Sequence, residues 1–315
     1  MAFMTTAARP VDQGAFQALV DPHVDELHRH CYRMLGSVDD ADEILQETLL
    51  AAWQGLPGFE GRASLRTWLY RIATNQCLNA IRDGLRRPPA VPVPPFEPPP
   101  STERHRATWV QPYVTTQDPA QRLEGREHIE LAFVTALQLL PPRQTAALLL
   151  VDVLGFSLAE TAELLGFGTT AVKGLLQRAR TAVDARREEP RRPPPHAQRV
   201  IADRFATAFA DDDIDGVLSL LSDRAWLAMP PAPHLYRGRA AIGSFLEAST
   251  SWRRGRQSVR LTPLWANDDP AYAVQLSDTD GWLPAGVIVL DITSEGIDGV
   301  TRFLGGSGRV GSGLL

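Results

Sequence analysis

Along the chain, apolar residues recur at helical spacing in two stretches and at strand spacing in a third, with proline clusters between them. The first stretch, residues 14–87, opens with "FQALVDPHVDELHRHCYRML" and "SVDDADEILQETLLAAWQGL", each with its apolar positions gathered on one helical face. Ser37 precedes the second run as an N-cap candidate, and acids crowd its first turns, where the helix dipole favours them. After the break at "PGFEG", the segment "FEGRASLRTWLYRIATNQCLNAIRD" sorts Leu69, Ile72, Ala73, Cys77, Ala80 and Ile81 to one side. Arg71, Asn75, Asn79 and Arg82, continuing to Arg86, fall on the opposite side. The pattern predicts a small helical bundle that shows one cationic, amide-rich stripe.

"PPAVPVPPFEPPP" can hold neither a helix nor a central strand, and predicts an extended linker over residues 88–118. Residues 119–187 return to helical spacing. There Ser157 and Glu160 stand at capping-box distance, Gly166-Phe167-Gly168 supplies a turn, and Thr169 or Thr170 caps a second helix. That helix carries Lys173, Gln177, Arg178 and Arg180, the arrangement of a helix-turn-helix whose second helix enters the major groove. A second proline-rich linker spans 188–196. Residues 197–304 read as two helices meeting at "DDDIDG", then a strand, a loop, a third helix and four β-rich runs, which predicts an α+β cone. Residues 305–315 are a Gly-rich tail. The expected fold class is multidomain: two all-α domains, the second with a helix-turn-helix, followed by the cone.

Charge sharpens this picture. The net charge of -5 argues against indiscriminate nucleic-acid binding by the whole surface, but charge is segregated along the chain. From Gly36 to Leu50 every charged residue is acidic, whereas residues 59–87 hold six arginines against Glu60 and Asp83. An acidic helix beside a basic one suggests two different partners. Guanidinium groups neutralise phosphates, Asn reads base edges, and Phe59, Trp68 and Tyr70 offer stacking faces, so the basic helix suits an opening nucleic acid; taken alone, a solvated helix face reads the same way. Cys31 and Cys77 sit in apolar patterns without metal-ligand spacing and read as reduced core residues; no metal or cofactor is expected. No cleavable signal or membrane-length apolar run is evident, so the expectation is a cytoplasmic protein without membrane contact.

Taken together, "DDADEILQETLLAAW", "FEGRASLRTWLYRIATNQCLNAIRD" and "LPPRQTAALLLVDVLGFSLAETAELLGFGTTAVKGLLQRAR" resemble, in order and with the linker between them, the two domains of an extracytoplasmic-function (ECF) sigma factor of the sigma-70 family. Residues 197–304 resemble the SnoaL-like, nuclear-transport-factor-like cone, with "LYRGRAAIGSFL" as the clearest element. The resemblance implies a non-catalytic promoter-specificity subunit that recruits RNA polymerase core, reads a minus-thirty-five element and melts a minus-ten element. It implies that Asp42, Glu43, Gln46 and Glu47 dock on a coiled coil of the polymerase largest subunit, and that region 4 meets the flap. It places "PGFEGRAS" as a base-capturing loop and Asn75 against a flipped base, giving Phe59, Glu60, Arg62, Arg71, Asn75, Asn79 and Arg82 as minus-ten candidates. Thr169, Thr170, Lys173, Gln177, Arg178 and Arg180 become minus-thirty-five candidates. Trp68 is read as structural before functional, and the proline-rich linker as a thread toward the active centre or as a passive spacer.

The cone invites a rival reading as a small-molecule-binding or catalytic module of isomerase or cyclase type, with Asp223, His234 and Asp278 as possible bases. Met229, Pro230 and Pro231 stand where several such enzymes have an Asp, and none of them can abstract a proton. The expectation is therefore a regulatory or ligand-sensing domain, with Trp226, Trp252, Trp265 and Trp282 lining a pocket or serving as ordinary packing residues. A separate anti-sigma factor or a small ligand are further possible partners.

Overall fold

The computed structural model describes residues 13–84, 96–104, 110–115, 131–184, 192–230, 232, 234–279 and 281–304. Arg86 and Arg87, the last residues of the basic segment, lie outside them, as do the Gly-rich tail and Pro231. In chain order the helices are α1 (Gln13–Leu35), α2 (Val38–Gly55), α3 (Leu65–Asp83), α4 (Leu131–Gln138), α5 (Pro142–Leu148), α6 (Leu158–Leu165), α7 (Thr169–Asp184), α8 (Pro195–Ala210), α9 (Ile214–Leu220) and α10 (Arg239–Arg253). The strands are β1 (Glu103–Arg104), β2 (Val114–Thr115), β3 (Leu221–Ala228), β4 (His234–Arg237), β5 (Val259–Ala266), β6 (Asp269–Asp278), β7 (Gly281–Thr293) and β8 (Gly296–Phe303). The chain divides into two compact units: residues 1–87 with 136–186, and 88–135 with 187–315.

In the helical unit, α1 and α2 form a hairpin because Gly36 turns left-handed (φ 75°) and Ser37 then caps α2, its Oγ accepting from the Asp40 N–H at 3.1 Å. α3 closes the bundle. Its N-cap is Ser64, which accepts from the Thr67 N–H at 3.0 Å, and it stops at Gly84 in the left-handed conformation. Leu27, Cys31, Tyr32 and Met34 of α1 are buried with Ile44 and Ala52 of α2 and with Leu69, Tyr70, Ala73 and Cys77 of α3. The apolar side read from the spacing is the buried side.

The second half of this unit is a helix-turn-helix with a support. α5 runs into a π-helical turn at Leu149–Val153. α6 starts on a complete capping box: Ser157 Oγ accepts from the Glu160 N–H, and Glu160 accepts from the Ser157 N–H at 2.8 Å. Gly166 ends it at φ 68°, and α7 begins at Thr169. The first α7 bond runs from the Val172 N–H to the Gly168 carbonyl, so Gly168, rather than Thr169 or Thr170, holds the cap position. Leu164, Val172, Leu176 and Ala179 bury the contact, and α3 packs on both α5 and α6.

The second unit is an eight-stranded sheet in the order β1-β4-β3-β8-β7-β6-β5-β2, antiparallel except for β3 beside β8. α8, α9 and α10 cover one face, where Phe205, Val217, Leu227, Tyr236, Phe245, Tyr272, Ile288 and Val300 form the main core. Leu264, Ala266, Val287, Val289 and Phe303 form a smaller core on the opposite face. β7 bends at Gly286 (φ 106°), where an added Cβ would meet the Phe303 carbonyl oxygen at 1.9 Å, so no other residue fits without backbone movement.

Both edge strands of that sheet come from residues read as linker. Glu103 pairs with Leu235 at one edge and Val114 with Ala266 at the other. Phe96 packs on Phe245 and Trp252, the Tyr236 hydroxyl donates to the Pro99 carbonyl at 2.9 Å, and Asn267 brackets Tyr113 with two hydrogen bonds. Proline removes an N–H donor, which disfavours it in the middle of a central strand but not on the approach to an edge.

Candidate nucleic-acid and polymerase interface

α3 presents Arg71, Asn75, Asn79 and Arg82 as an exposed stripe along its outer side. Arg82 donates from Nε and Nη2 to the neighbouring Asp83 carboxylate at 2.9 and 3.3 Å, a solvent-exposed pair that a phosphate can displace. N-terminal to the helix, the loop after α2 places the Phe59 ring on Trp68, with centroids 4.9 Å apart. Glu60 and Arg62 pair with each other at 2.9 Å on the exposed tip of the loop. Trp68 also lies against Gly55, where an added Cβ would stand 3.1 Å from its ring, so it forms the floor under Phe59. Loop and stripe are thus continuous on one helix.

Arg66 belongs to neither. Its Nε donates to Glu26 at 3.1 Å, and its guanidinium lies 4.9 Å from the Tyr70 ring and 5.1 Å from the Phe156 ring. Beneath it His30 is fully buried, its Nε2 within 2.9 Å of Thr74 Oγ1. Burial, with Arg33 and Arg66 nearby, pushes the His30 pKa down to about 3.

On α2, Glu43, Gln46 and Glu47 are exposed, as their spacing requires. Asp42 is half-buried and lies 3.1 Å from Nε2 of His28, an imidazole whose pKa burial lowers, so it meets a hydrogen-bond partner inside the bundle. One turn beyond the acids, Leu50 is 58 % exposed, adding an apolar element that charge counting alone does not show.

On α7, Thr169, Thr170, Lys173, Gln177 and Arg178 are all exposed. Arg180 is exposed too, but both ends of its guanidinium donate to Asp152 at 2.6 and 2.9 Å, tying α7 to the π-helical turn. Beside it lies an open groove of about 320 Å³ lined by Val151, Leu158, Leu176 and Gln177 among others.

Sigma-70 region 2 matches residues 19–87 and Sigma-70 region 4 matches residues 130–183. The chain is 40 % identical over 310 residues to the ECF RNA polymerase sigma factor SigG of Mycobacterium tuberculosis, covering 94 % of this chain and 83 % of that one. The protein belongs to the ECF sigma factors.

ECF sigma factors are non-enzymatic, promoter-specific transcription initiation factors, and the family binds RNA polymerase and promoter DNA. The chain is also 35 % identical over 169 residues to SigM of the same organism, covering 54 % of this chain and 75 % of that one. The crystal structure of the Mycobacterium tuberculosis ECF sigma factor SigJ shares its fold, with a TM-score of 0.64 at 22 % identity over 93 % of this chain and 96 % of that one. The α3 stripe lies in region 2 of this sigma factor and α7 in region 4, while its C-terminal domain is the SnoaL-like cone.

The four tryptophans of that cone do not share a pocket. Trp265 is on the helix-covered face under the Arg199 guanidinium, 4.4 Å from it. Trp226 lies against Gly299, and Trp282 beneath Arg260 at 4.1 Å, both on the opposite face, while Trp252 on α10 meets Phe96. Strand alternation sends neighbours to opposite faces, which a count of aromatic residues along the chain does not reveal. The three possible bases are equally dispersed. Asp223 is fully exposed beside Arg239, Asp278 closes the β6 end on the Thr279 N–H, and His234 is on the edge strand β4.

Among the described residues, no helix is long and apolar enough to cross a membrane.

Proposed function

We propose that α3 and the loop before it open the minus-ten element, with Phe59, Glu60 and Arg62 around the extruded base, Asn75 on its edge, and Arg71, Asn79 and Arg82 along the backbone. The observation that carries this is the unbroken exposed line from the loop through Asn75 to Arg82 on the side of α3 away from its core. Unstacking a base costs a few kcal/mol, which a stacking face and a hydrogen-bonding amide recover. In this reading α7 reads the minus-thirty-five element through Thr169, Thr170, Lys173, Gln177 and Arg178, while Arg180 serves the fold before the DNA. Glu43, Gln46, Glu47 and Leu50, with Asp42 partly engaged, dock on the coiled coil of the polymerase largest subunit, and region 4 meets the flap. The protein acts in the cytoplasm. Run-off transcription with core polymerase on a promoter library tests the assignment, and failure to bind core at all would sink it.

A second reading concerns the C-terminal domain, and the edge strands favour it. The cone regulates the sigma factor through the linker, because residues 96–104 and 110–115 are hydrogen-bonded into its sheet at both edges. A segment held this way has lost the reach of a free tether. The proposed boundaries, sigma regions at 14–87 and 119–187 and the cone at 197–304, thus interlock in the chain. Truncation after Arg187, and separately Phe96→Ala, should change promoter output; unchanged output and unchanged core affinity for both would remove this reading. Control by an anti-sigma factor in addition would appear as a further loss of output on adding the partner.

A further inference from the structure

On the helix-covered face of the cone, apart from Arg199 over Trp265 and Tyr272, two further guanidinium groups come together near the Asp212 carboxylate. Arg253, the last residue of α10, is 93 % buried, and its Nη2 pairs with Asp212 at the turn between α8 and α9. The Phe209 ring lies 5.6 Å beneath its guanidinium. Its Nε is sealed from solvent and has no acceptor. Arg302 stands opposite Ile288, a residue of the main core, and therefore points to the same face. Its Nη2 donates to the Ala285 carbonyl at 3.0 Å, while its Nη1 is sealed and likewise has no acceptor.

Charge makes these orphan donors informative. Asp212 answers Arg253, and the charge that bears on Arg302 is the guanidinium of Arg253, of like sign. Burial first, and then Arg253, lower the Arg302 pKa to about 10, still well above neutrality, so the group is cationic in the cell. Arg302 as a whole is half-buried, but its sealed Nη1 and the sealed Arg253 Nε are two unmade charged hydrogen bonds, and these are costly. Asp212 answers Arg253, whereas among the described residues no carboxylate pairs with Arg302, and that one unanswered positive charge favours a monoanion over a phosphate dianion. Two donors from two planar groups fit the two oxygens of a carboxylate, and the surrounding Phe209 and Ile288 suit an apolar body behind it.

We propose that the cone binds a small apolar monocarboxylate between Arg253 Nε and Arg302 Nη1. The site is independent of the tryptophans and of the linker strands, and it stands or falls apart from the regulatory reading above.

The test uses the full chain, with sodium benzoate as the probe and benzamide as its neutral match, at constant ionic strength. Benzoate raises the melting temperature along a saturating curve, since a ligand of the native state stabilises it as its concentration passes Kd, and benzamide does not. Arg302→Met abolishes the rise, whereas Arg260→Met, on the opposite face, leaves it intact. Should Arg302→Met fold poorly, Arg302→Lys keeps the charge, loses the planar fork and weakens benzoate binding at least tenfold. Crystals soaked in bromide, also a monoanion, show an anomalous peak within hydrogen-bond reach of both donors. A benzoate effect that survives in Arg302→Met, or no saturable effect together with no bromide peak, overturns the proposal.

Discussion

Phe156 and Tyr70 meet edge to face, their centroids 5.5 Å apart at 69°, and so join the helix-turn-helix to α3. Arg66 lies over both rings. With α3 packed on α6 and α6 on α7, α3 and α7 lie within about two interhelical spacings, roughly 20 Å. Promoter elements centred about 25 base pairs apart are separated by about 85 Å at 3.4 Å per pair. If α3 and α7 read these elements as proposed, the packing seen is a closed state that parts before both are bound. Phe156→Ala removes an aromatic pair worth about 1 kcal/mol together with buried area, and should raise open-complex formation at limiting polymerase. Because Phe156 also precedes α6, Arg66→Gln provides a milder second variant. Unchanged output and unchanged protease sensitivity in both would show that the seam does not gate activity.

Asn75→Ala separates a base contact from a fold contact. Its side chain is exposed and the α3 caps at Ser64 and Gly84 are remote from it, so stability should change by less than about 0.5 kcal/mol. With Asn75 on a base edge as proposed, losing that hydrogen bond and its neighbour contacts costs about 1–3 kcal/mol, or roughly 5- to 150-fold in open complex. Core affinity, measured by competition, should stay within twofold. Permanganate footprinting of the minus-ten thymines distinguishes failed melting from failed recruitment.

Much of this was legible along the chain because the deciding interactions are local. Ser37 and the Ser157–Glu160 box are caps whose partners lie within one turn, and the stripe from Arg71 to Arg82 depends only on helical period. What could not be read depends on distant partners. Two-residue strands such as Glu103–Arg104 and Val114–Thr115 are too short to show alternation, and what makes them strands is Leu235 and Ala266 across the edge. Nor does the sequence show that α1 brings His28 to Asp42, or that the π-turn brings Asp152 to Arg180, so each candidate has a partner within the fold. The tryptophans were separated by strand parity, and the Arg253–Arg302 pair assembles from residues 49 apart in the chain.

Arg180 and Lys173 should behave differently on DNA. The Arg180–Asp152 pair is solvent-exposed, so Arg180→Ala should cost less than about 1 kcal/mol of stability and leave the base preference of α7 unchanged. Lys173 projects from the first turns of α7, and Lys173→Ala should weaken binding. If Lys173 contacts only phosphate, all sequences weaken alike and the salt slope drops by about one; if it reads a base, selectivity at one position falls instead. A selection experiment on randomised minus-thirty-five sequences at two salt concentrations measures both. Loss of selectivity in Arg180→Ala would return that residue to the DNA contacts.

Acid should loosen region 2 through His30. Its folded pKa of about 3 lies below the ordinary value of 6.5, so between those values the unfolded chain binds a proton that the folded chain refuses. Stability from this group is complete above pH 6.5 and is lost as pH falls toward 3, at up to about 1.4 kcal/mol per unit. Between pH 6.5 and 5 the loss reaches about 2 kcal/mol, and His28, also lowered by burial, acts in the same direction. His30→Gln keeps a polar group within reach of Thr74 and cannot titrate, so its denaturation midpoint should fall less steeply over this range. Urea titrations of both proteins at pH 7, 6 and 5 measure the difference. Parallel pH profiles would mean that His30 is protonated inside the bundle, and that the Arg33 and Arg66 charges beside it are better screened than their burial implies.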